Sequence, residues 1–508
     1  MPETTWRSDV NNEETNPEYW YKLAQQQVYN NLIRFPNYNL AKNLILFLGD
    51  GMSLSTVTAS RIYKSQKDGL PGENSKLFME RMPYTGLSKT YCVSHQVADS
   101  ACSATAYLCG VKANIFTIGV SAKVSINDCD GSNDPRNQLT SIAEWAQEAR
   151  KSVGIVTTTT ITHASPSGSF AHTSNRMFES DADVIKWGGN DNCQDIASQL
   201  VLNEPGKHFK VILGGGRMKF LPNTTRDEQG VKGERLDGTN LIQHWLNDKR
   251  KEGPTKYIWS RNQLKLINYS KTEYLLGLFS SQHMNYHMDN DGSVEPTLAE
   301  MTEAAIKVLA KNSNGFFLFV EGGRIDHAHH QAKARKALEE TVQFDNAIKL
   351  ASKMTSQRDT LTVVTADHAH TMSISGYSTR GKEILGLNSF LGRDGLPYTT
   401  LSYANGPGYK ETVNGIREDL THANLGMYTS RYQLNMRLKL YIFLEDKDYV
   451  YPGLVPAVLE THGGDDVGIF ASGPWAHLFV GFLEQNVIPH IMAFAACIGS
   501  GLTACGSK

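Results

Sequence analysis

The sequence predicts an α/β fold with three layers, in which helices cover both faces of a central, mostly parallel sheet. Short apolar runs recur along the 508-residue chain, as in the segment NLILFLGDG that begins at Asn43. Each run ends in glycine or a polar residue, which is typical of strands buried on both faces. Helical patterns lie between the runs, and such alternation favours a parallel sheet. The predicted strands begin at Asn43, Ser152, Lys210, Gly315 and Thr360.

The helical patterns span residues 138–150, 300–311 and 333–354, and a further amphipathic helix is predicted over 18–32. Because single cores stop growing at roughly 250–300 residues, we expect an insertion or a second domain. Residues 377–459 are rich in Gly, Tyr, Asn and Arg and have little periodicity, as expected of a small irregular insertion. The predicted units are therefore an N-terminal arm in 1–34, an α/β/α domain in 35–376 and 460–508, and the insertion.

The charge balance excludes strong general attraction to polyanions. The net charge is −2, so an anionic ligand must be captured by a local positive site, and we expect no nucleic-acid partner. No stretch reaches the roughly 18 apolar residues of a membrane span. The start MPETTWRSDV lacks the apolar run of a signal peptide, and the few residues after Cys505 lack that of a lipid-anchor signal.

The seven cysteines include no C-x-x-C pair, which argues against a cysteine-rich zinc ribbon. The odd number leaves at least one thiol free. The triplets Asn223-Thr-Thr and Asn268-Tyr-Ser match the glycosylation pattern and weakly favour secretion, although such triplets also arise by chance.

Carboxylates, histidines and a serine gather where the predicted strands end. They are Asp50, Ser165, Glu321, Asp326, His330, Asp367, His368 and His370. Ligands of open α/β sheets bind at the carboxyl ends of the strands. Oxygen and imidazole ligands suit magnesium and zinc, and the i, i+4 spacing of Asp326 and His330 allows both to bind one ion on a helix.

Several residues, taken one at a time, could also have ordinary structural roles. Ser100, in DSACSATA, is either a helix cap or a nucleophile at a helix N-terminus that a metal activates. Arg176 suits either a surface salt bridge or a bidentate phosphate contact. Asp50 and His462, read alone, are turn and loop residues. Their convergence on one sheet edge favours paired metals, which at about 3.5–4 Å suit phosphoryl displacement.

Six motifs resemble those of animal alkaline phosphatases. They are LGDGM (48–52), VADSA (97–101), THASP (162–166), VEGGRIDH (320–327), TADH (365–368) and THGG (461–464). They appear in family order, and the similarity runs from about Trp20 to Cys505. The resemblance implies hydrolysis of small phosphate monoesters through a phosphoserine intermediate at Ser100.

The resemblance also implies three metal sites. The implied ligands are Asp326, His330 and His462 for a first zinc, Asp50, Asp367 and His368 for a second zinc, and Asp50, Ser165 and Glu321 for magnesium. His163 would lie close to the magnesium, and His370 would lie near the first zinc without binding it. Arg176 matches the arginine that clamps phosphate, and His327 matches a histidine near it.

The implied disulfides are Cys129–Cys193 and Cys497–Cys505, with Cys109 a free thiol. Two disulfides imply an oxidising compartment, so we expect a secreted protein or one on the outer cell surface. Cys92 and Cys102 depart from the family pattern and either bond to each other or stay reduced.

Vertebrate members also bind calcium. The matching positions here are Glu228, the Phe279 carbonyl and Glu295, but Ser280 replaces a carboxylate, which weakens such a site. Calcium is therefore a doubtful cofactor.

The family is dimeric, and residues 15–34 and the insertion, called the crown, match the regions that form its interface. Tyr377 matches a tyrosine that reaches towards the partner's active site.

Four other functions compete with this interpretation. A phosphodiesterase or a sulfatase of the same superfamily would share the fold, but sulfatases need a C/S-x-P-x-R context that the segment after Ser100 lacks. A non-catalytic metal-binding surface receptor would be expected to lose a ligand or the nucleophile, and none is lost. A structural zinc protein would more often have closed, cysteine-rich sites.

Overall fold

The computed structural model describes residues 12–412, 416–417, 420 and 446–506. Its strands are β1 (Asn43–Gly49), β2 (Tyr84–Lys89), β3 (Ser152–Thr160), β4 (Val211–Gly215), β5 (Thr255–Ile258), β6 (Tyr274–Leu278), β7 (Phe316–Gly322), β8 (Thr360–Ala366), β9 (Ala369–His370), β10 (Ser373–Ile374), β11 (Leu401–Gly406), β12 (Gly453–Pro456), β13 (His462–Gly463), β14 (Val467–Ser472) and β15 (Gly481–Glu484).

The helices are α1 (Pro17–Leu32), α2 (Leu54–Lys67), α3 (Ser100–Cys109), α4 (Cys129–Asn133), α5 (Ile142–Glu148), α6 (Ala164–Ser167), α7 (Asp181–Lys186), α8 (Ile196–Leu202), α9 (Leu241–Glu252), α10 (Arg261–Lys265), α11 (Leu298–Leu309), α12 (Arg324–His330), α13 (Ala334–Met354) and α14 (Val487–Ala496). Short 3-10 turns lie at Asn12–Thr15, Met79–Arg81, Gly206–His208, Arg217–Phe220, Tyr269–Lys271, His287–Asp289 and Ala476–Leu478.

A ten-stranded sheet forms the centre of the fold, in the order β15-β2-β14-β8-β1-β7-β3-β4-β6-β5. Only β14 runs antiparallel to its neighbours in this sheet, β2 and β8. The predicted three-layer, mostly parallel α/β fold is therefore confirmed. The five predicted strands are β1, β3, β4, β7 and β8. The sequence did not predict the other five strands of this sheet, β2, β5, β6, β14 and β15. Apolar burial is interrupted in β2, β5 and β15, whereas β6 and β14 are almost wholly buried.

The side chains of β1 show how the two cores are divided. Leu44, Leu46 and Leu48 belong to one buried cluster, which also holds residues of α3, α5 and α14. Ile45 and Phe47 belong to the other cluster, which holds residues of α11 and α13. Because successive strand side chains point to opposite faces, one apolar run supplies both helical layers.

Two smaller pairings lie outside the large sheet. Strands β10, β11 and β12 form a three-stranded sheet, and β9 pairs with β13. Much of the predicted crown, including residues 421–445, lies outside the described residues. The predicted unit boundaries stay predictions.

Disulfides join Cys129 to Cys193 and Cys497 to Cys505, the two pairs that the resemblance implies. A third joins Cys92 to Cys102, which decides between the two alternatives for these cysteines. Cys109 is buried and free.

Within the part of the chain that the structure describes, we find no helix with the length and apolar character needed to cross a membrane.

The central position of β1 leads to a stability prediction. Leu46→Ala removes a side chain that is 0% exposed and should lower the free energy of unfolding by about 2–5 kcal/mol, because the lost apolar contacts leave a cavity. Urea unfolding followed by fluorescence measures the change. Leu266→Ala, at a residue that is 84% exposed, is the matched control and should change stability by less than about 0.5 kcal/mol. Equal effects of the two substitutions would contradict the described core.

Candidate active site

Neighbouring parallel strands bring carboxylates to one edge of the sheet. Strand β1 pairs with β7 and β8, and Leu48 lies opposite both Glu321 and Thr365. Asp50 follows β1 and Asp367 follows β8, so these two carboxylates and that of Glu321 lie at nearly the same level. All three residues are fully buried. Asp326 adds a fourth buried carboxylate from α12, directly after β7.

The pairing of β9 with β13 brings distant histidines to the same edge. His462 lies opposite His370 in this antiparallel ladder. His368, just before β9, stacks on His462 with 3.5 Å between the ring centroids. The His462 imidazole therefore joins the residues that follow β8, although they are more than ninety positions apart in the sequence.

Asp326, His330 and His462 converge on one point. Asp326 Oδ1 lies 3.3 Å from His462 Nε2, and Asp326 Oδ2 lies 3.4 Å from His330 Nε2. The Nδ1 atoms of the two histidines lie against backbone carbonyls of Glu460 and Ala98, to which they donate. Each Nε2 therefore carries a lone pair, and the two Nε2 atoms are 3.1 Å apart. Converging lone pairs beside a carboxylate fit a zinc ion.

His370 contacts this group without having a free nitrogen. Its Nε2 donates to Asp326 Oδ1 at 2.7 Å, and its Nδ1 donates to Glu460 Oε2 at 2.5 Å. Burial lowers the pKa of His370, but the charges of Glu460 and Asp326 outweigh it and raise the pKa to about 10. His370 is thus a protonated donor that orients Asp326. Glu460 was not predicted, since a glutamate before a turn looks like a surface residue in the sequence.

Asp50, Asp367 and His368 form a second group beside Ser100. Each offers a ligand atom within 4.8 Å of the others. His368 Nε2 lies 3.1 Å from Asp367 Oδ2 and 3.2 Å from Ser100 Oγ. Neither carboxylate oxygen of Asp50 accepts a hydrogen bond from a described residue. Burial and the neighbouring Asp367 charge hold the Asp50 pKa well above its usual range. A dication at this group would offset that charge.

A third group combines Asp50, Glu321 and His163, whose ligand atoms also lie within 4.8 Å of one another. Glu321 Oε2 accepts hydrogen bonds from Thr157 and Thr159, whereas Oε1 accepts none from the described residues. Burial raises the pKa of Glu321 to about 7. The Ser165 hydroxyl is also buried and, like Glu321 Oε1, has no hydrogen-bond partner among the described residues. These oxygens fit magnesium, and His163 lies close to them, where the resemblance implies.

Ser100 lies at a helix N-terminus, and the residue before it holds an arginine. Ser100 is the first residue of α3, and Asp99 caps the helix by accepting a hydrogen bond from the Cys102 amide. Arg176 donates to Asp99 Oδ2 at 3.1 Å and to His163 Nε2 at 3.0 Å. The helix N-terminus and this guanidinium together suit an anionic ligand.

His327 lies further out in the same region. Its ring centroid is 5.4 Å from that of His163 and 4.5 Å from that of His283. Arg324 Nη1 is 2.6 Å from His327 Nδ1. His283 was not predicted, because no sequence pattern relates it to His163; burial lowers its pKa to about 4.

The residues considered for calcium are engaged by protein donors. Glu228 lies 3.3 Å from the Arg217 guanidinium, and Glu295 accepts a hydrogen bond from the Asn285 amide. Among the described residues, the clusters with metal-ligand geometry include neither glutamate. The structure therefore adds no support for calcium. The two glycosylation candidates, Asn223 and Asn268, are exposed.

Comparison with known proteins agrees with this geometry. The family model described as "Alkaline phosphatase" matches residues 41–498. The chain belongs to the alkaline phosphatase family. It is 50% identical to a membrane-bound alkaline phosphatase of Bombyx mori over 92% of this chain and 82% of that protein. It is 47% identical to the tissue-nonspecific isozyme of Gallus gallus over 97% of this chain and 92% of that protein. The predicted class, a phosphoric monoester hydrolase, is confirmed.

Solved structures share the fold. The alkaline phosphatase of Thermus thermophilus superposes with a TM-score of 0.62 at 23% identity, covering 90% of this chain and 92% of that one. The alkaline phosphatase of the Antarctic bacterium TAB5 gives 0.60 at 20% identity, covering 91% and 100%. At these identities the likeness concerns the fold alone.

The raised pKa of Glu321 predicts proton-linked metal uptake. A divalent cation needs the ionised carboxylate, so binding below about pH 7 must displace the proton. Mg²⁺ added to metal-free protein should release about one more proton at pH 6 than at pH 8, and its affinity should fall about tenfold per pH unit below 7. Calorimetry in buffers of different ionisation enthalpy counts the protons. Equal release at both pH values would contradict the prediction.

Proposed function

We propose that the chain hydrolyses phosphate monoesters to an alcohol and inorganic phosphate through a phosphoserine at Ser100, with two zinc ions and one magnesium ion. The observation that carries the proposal is the position of the Ser100 hydroxyl, 3.2 Å from His368 in the group formed with Asp50 and Asp367. Ser100 also begins α3, and Asp99, the residue before it, holds Arg176.

The donor sets assign the ions. Asp326, His330 and His462 would hold one zinc, and the second would lie between Asp50, Asp367 and His368. The oxygen-rich set of Asp50, Glu321 and Ser165 would hold magnesium, with His163 beside it. Zinc ions held by the first two sets would supply positive charge that favours ionisation of the Ser100 hydroxyl, stabilises the leaving oxygen and activates water.

The residues of the chain perform the remaining work. The Ser100 hydroxyl gives up its proton, Oγ forms a bond to phosphorus as the bond to the alcohol oxygen breaks, and the departing oxygen takes up one proton and leaves as the alcohol. Water then attacks the phosphoserine, which releases phosphate and restores the hydroxyl. Arg176, oriented by Asp99, neutralises charge on the non-bridging phosphate oxygens.

The disulfides indicate the kind of compartment in which we expect the protein. Three disulfides within the described residues suit an oxidising compartment, so we place the enzyme outside the cell, secreted or on the outer surface. The exposed Asn223 and Asn268 triplets would be available for glycosylation there.

We also propose a homodimer that uses α1. No side chain of this helix is buried, and Tyr21, Val28 and Leu32 are 67%, 52% and 73% exposed. At 100° per residue these three lie on one face. Tyr377 is 85% exposed, as expected of a residue that contacts a second copy. An apolar face of this kind favours an interface.

Activity tests the chemistry directly. A chromogenic phosphate monoester should be cleaved at alkaline pH, and complete removal of metal by a chelator should abolish the cleavage. A matching diester and a sulfate ester should react far more slowly. Faster cleavage of the diester or the sulfate would favour the competing superfamily functions, and activity without metal would contradict the mechanism.

Substitution of the nucleophile gives a sharper result. Ser100→Ala should abolish the trapped phosphoserine and lower kcat by at least about 10³-fold, because the covalent route is lost. Ser103→Ala, at a buried serine one turn further along α3, is the matched control and should keep most activity. Phosphate release from Ser100→Ala at the wild-type rate would overturn the assignment.

The proposed dimer interface can be tested by the mass of the protein in solution. The wild-type protein should sediment at about twice the chain mass of 56.3 kDa. Val28→Glu should shift it towards monomer, since a charge would be buried against the second copy. Gln26→Glu adds the same charge on the opposite face of α1 and should leave the dimer intact. A dimer unaffected by Val28→Glu would exclude this face.

A further inference from the structure

The disulfide between Cys92 and Cys102 encloses the proposed nucleophile. The two cysteines are ten positions apart, and Ser100 lies between them. Both are buried, in a small cluster with Ala98 and Ala113. Asp99 lies near both sulfurs, but the sulfurs are bonded to each other and offer no thiolate to a metal. The proposed chemistry gives this disulfide no direct role.

The enclosed loop makes two contacts that orient site residues. The Ala98 carbonyl accepts a hydrogen bond from His462 Nδ1 at 2.7 Å, which directs His462 Nε2 towards Asp326. The Asp99 carboxylate accepts one from Arg176 at 3.1 Å. Asp99 also accepts from the amides of Cys102 and Phe116, so it fixes the start of α3 and the arginine together.

Among the described residues, a few hydrogen bonds also hold the exposed part of this loop, including one from the Ile115 amide to Ser94 Oγ at 3.1 Å. Residues 93–97 are exposed and belong to no helix or strand. The backbone hydrogen bonds at its start are Cys92 N to the His95 carbonyl and Val93 N to the Ala113 carbonyl. A cross-link between its ends removes conformations that the free loop would otherwise sample. The Ala98 carbonyl is one residue from Asp99 and shares that restraint.

We propose that the Cys92–Cys102 disulfide is a positioning element for the active site. By holding the loop, it keeps the Ala98 carbonyl and the Asp99 carboxylate where they orient His462 for zinc and Arg176 for phosphate. This role rests on the proposed function and deepens it. Loss of the cross-link should weaken zinc binding and phosphate binding together, because the two contacts lie on adjacent residues.

Paired cysteine substitutions test the role in the full-length protein. Cys92→Ser with Cys102→Ser should weaken the affinity for one zinc about 10–100-fold, the usual effect of losing a contact that orients a ligand. Zinc retained against a competing chelator measures this affinity. The inhibition constant for inorganic phosphate and the KM should rise several-fold. Added zinc should restore occupancy but not the phosphate constant.

The matched control is Cys497→Ser with Cys505→Ser, which opens a disulfide whose cysteines are eight positions apart. It should leave zinc affinity and phosphate inhibition within about twofold of wild type. If the serine pair folds poorly, Cys92→Val with Cys102→Ala fills the buried space without a cross-link and is measured in its place.

Three results distinguish a positioning role of the disulfide, a requirement for folding and failure of the proposed function. A folded, uncrosslinked variant with wild-type zinc affinity and phosphate inhibition overturns the positioning role. Failure of both pairs to fold, while the control folds, also overturns it, because the disulfide would then be required for folding. A wild-type protein without monoesterase activity refutes the proposed function itself, whereas an active wild type beside an unaffected variant refutes only the positioning role.

Discussion

Buried negative charge governs the arrangement of this molecule. Asp50, Glu321, Asp326 and Asp367 gather at one edge of the sheet, and each is almost wholly buried. An uncompensated buried carboxylate costs several kcal/mol, and the protein supplies only part of the compensation. Asp326 is paired with the His370 imidazolium, yet Asp50 accepts no hydrogen bond from any described residue. Such a cluster is understandable if divalent cations complete it.

Strand pairing in the sheet brings the carboxylates together. Hydrogen bonds to groups outside the sheet orient the histidine side chains. Parallel pairing of β7, β1 and β8 fixes the levels of Glu321, Asp50 and Asp367. The imidazoles are aimed by carbonyls and by Glu460, which lie outside the sheet. The two candidate metal sites therefore differ in their ligand atoms. Imidazole nitrogens face Asp326, whereas oxygens surround Glu321. This difference favours zinc at one and magnesium at the other.

Local patterns made much of the fold and part of the site predictable. A buried strand has a recognisable apolar run, so the residues at its end, such as Asp50 and Asp367, could be assigned to one sheet edge before their geometry was known. His462 was different: alone it was a loop histidine, and only the family resemblance indicated it. Its place depends on the pairing of β13 with β9, a non-local contact without a sequence pattern.

The same reason explains the residues that were missed. Glu460 and His283 contact residues far away in the chain, and spacing alone could not decide whether Cys92 and Cys102 bond to each other or stay reduced. Strand β15, at the edge of the sheet, and its neighbour β2 have half-exposed residues, so their apolar runs are broken.

Diffraction data collected at the zinc absorption edge, from active crystals grown with zinc and magnesium, would test the central claim most directly. The account predicts two anomalous peaks, one among Asp326, His330 and His462 and the other among Asp50, Asp367 and His368 beside Ser100. Active crystals without an anomalous peak at either group would contradict it.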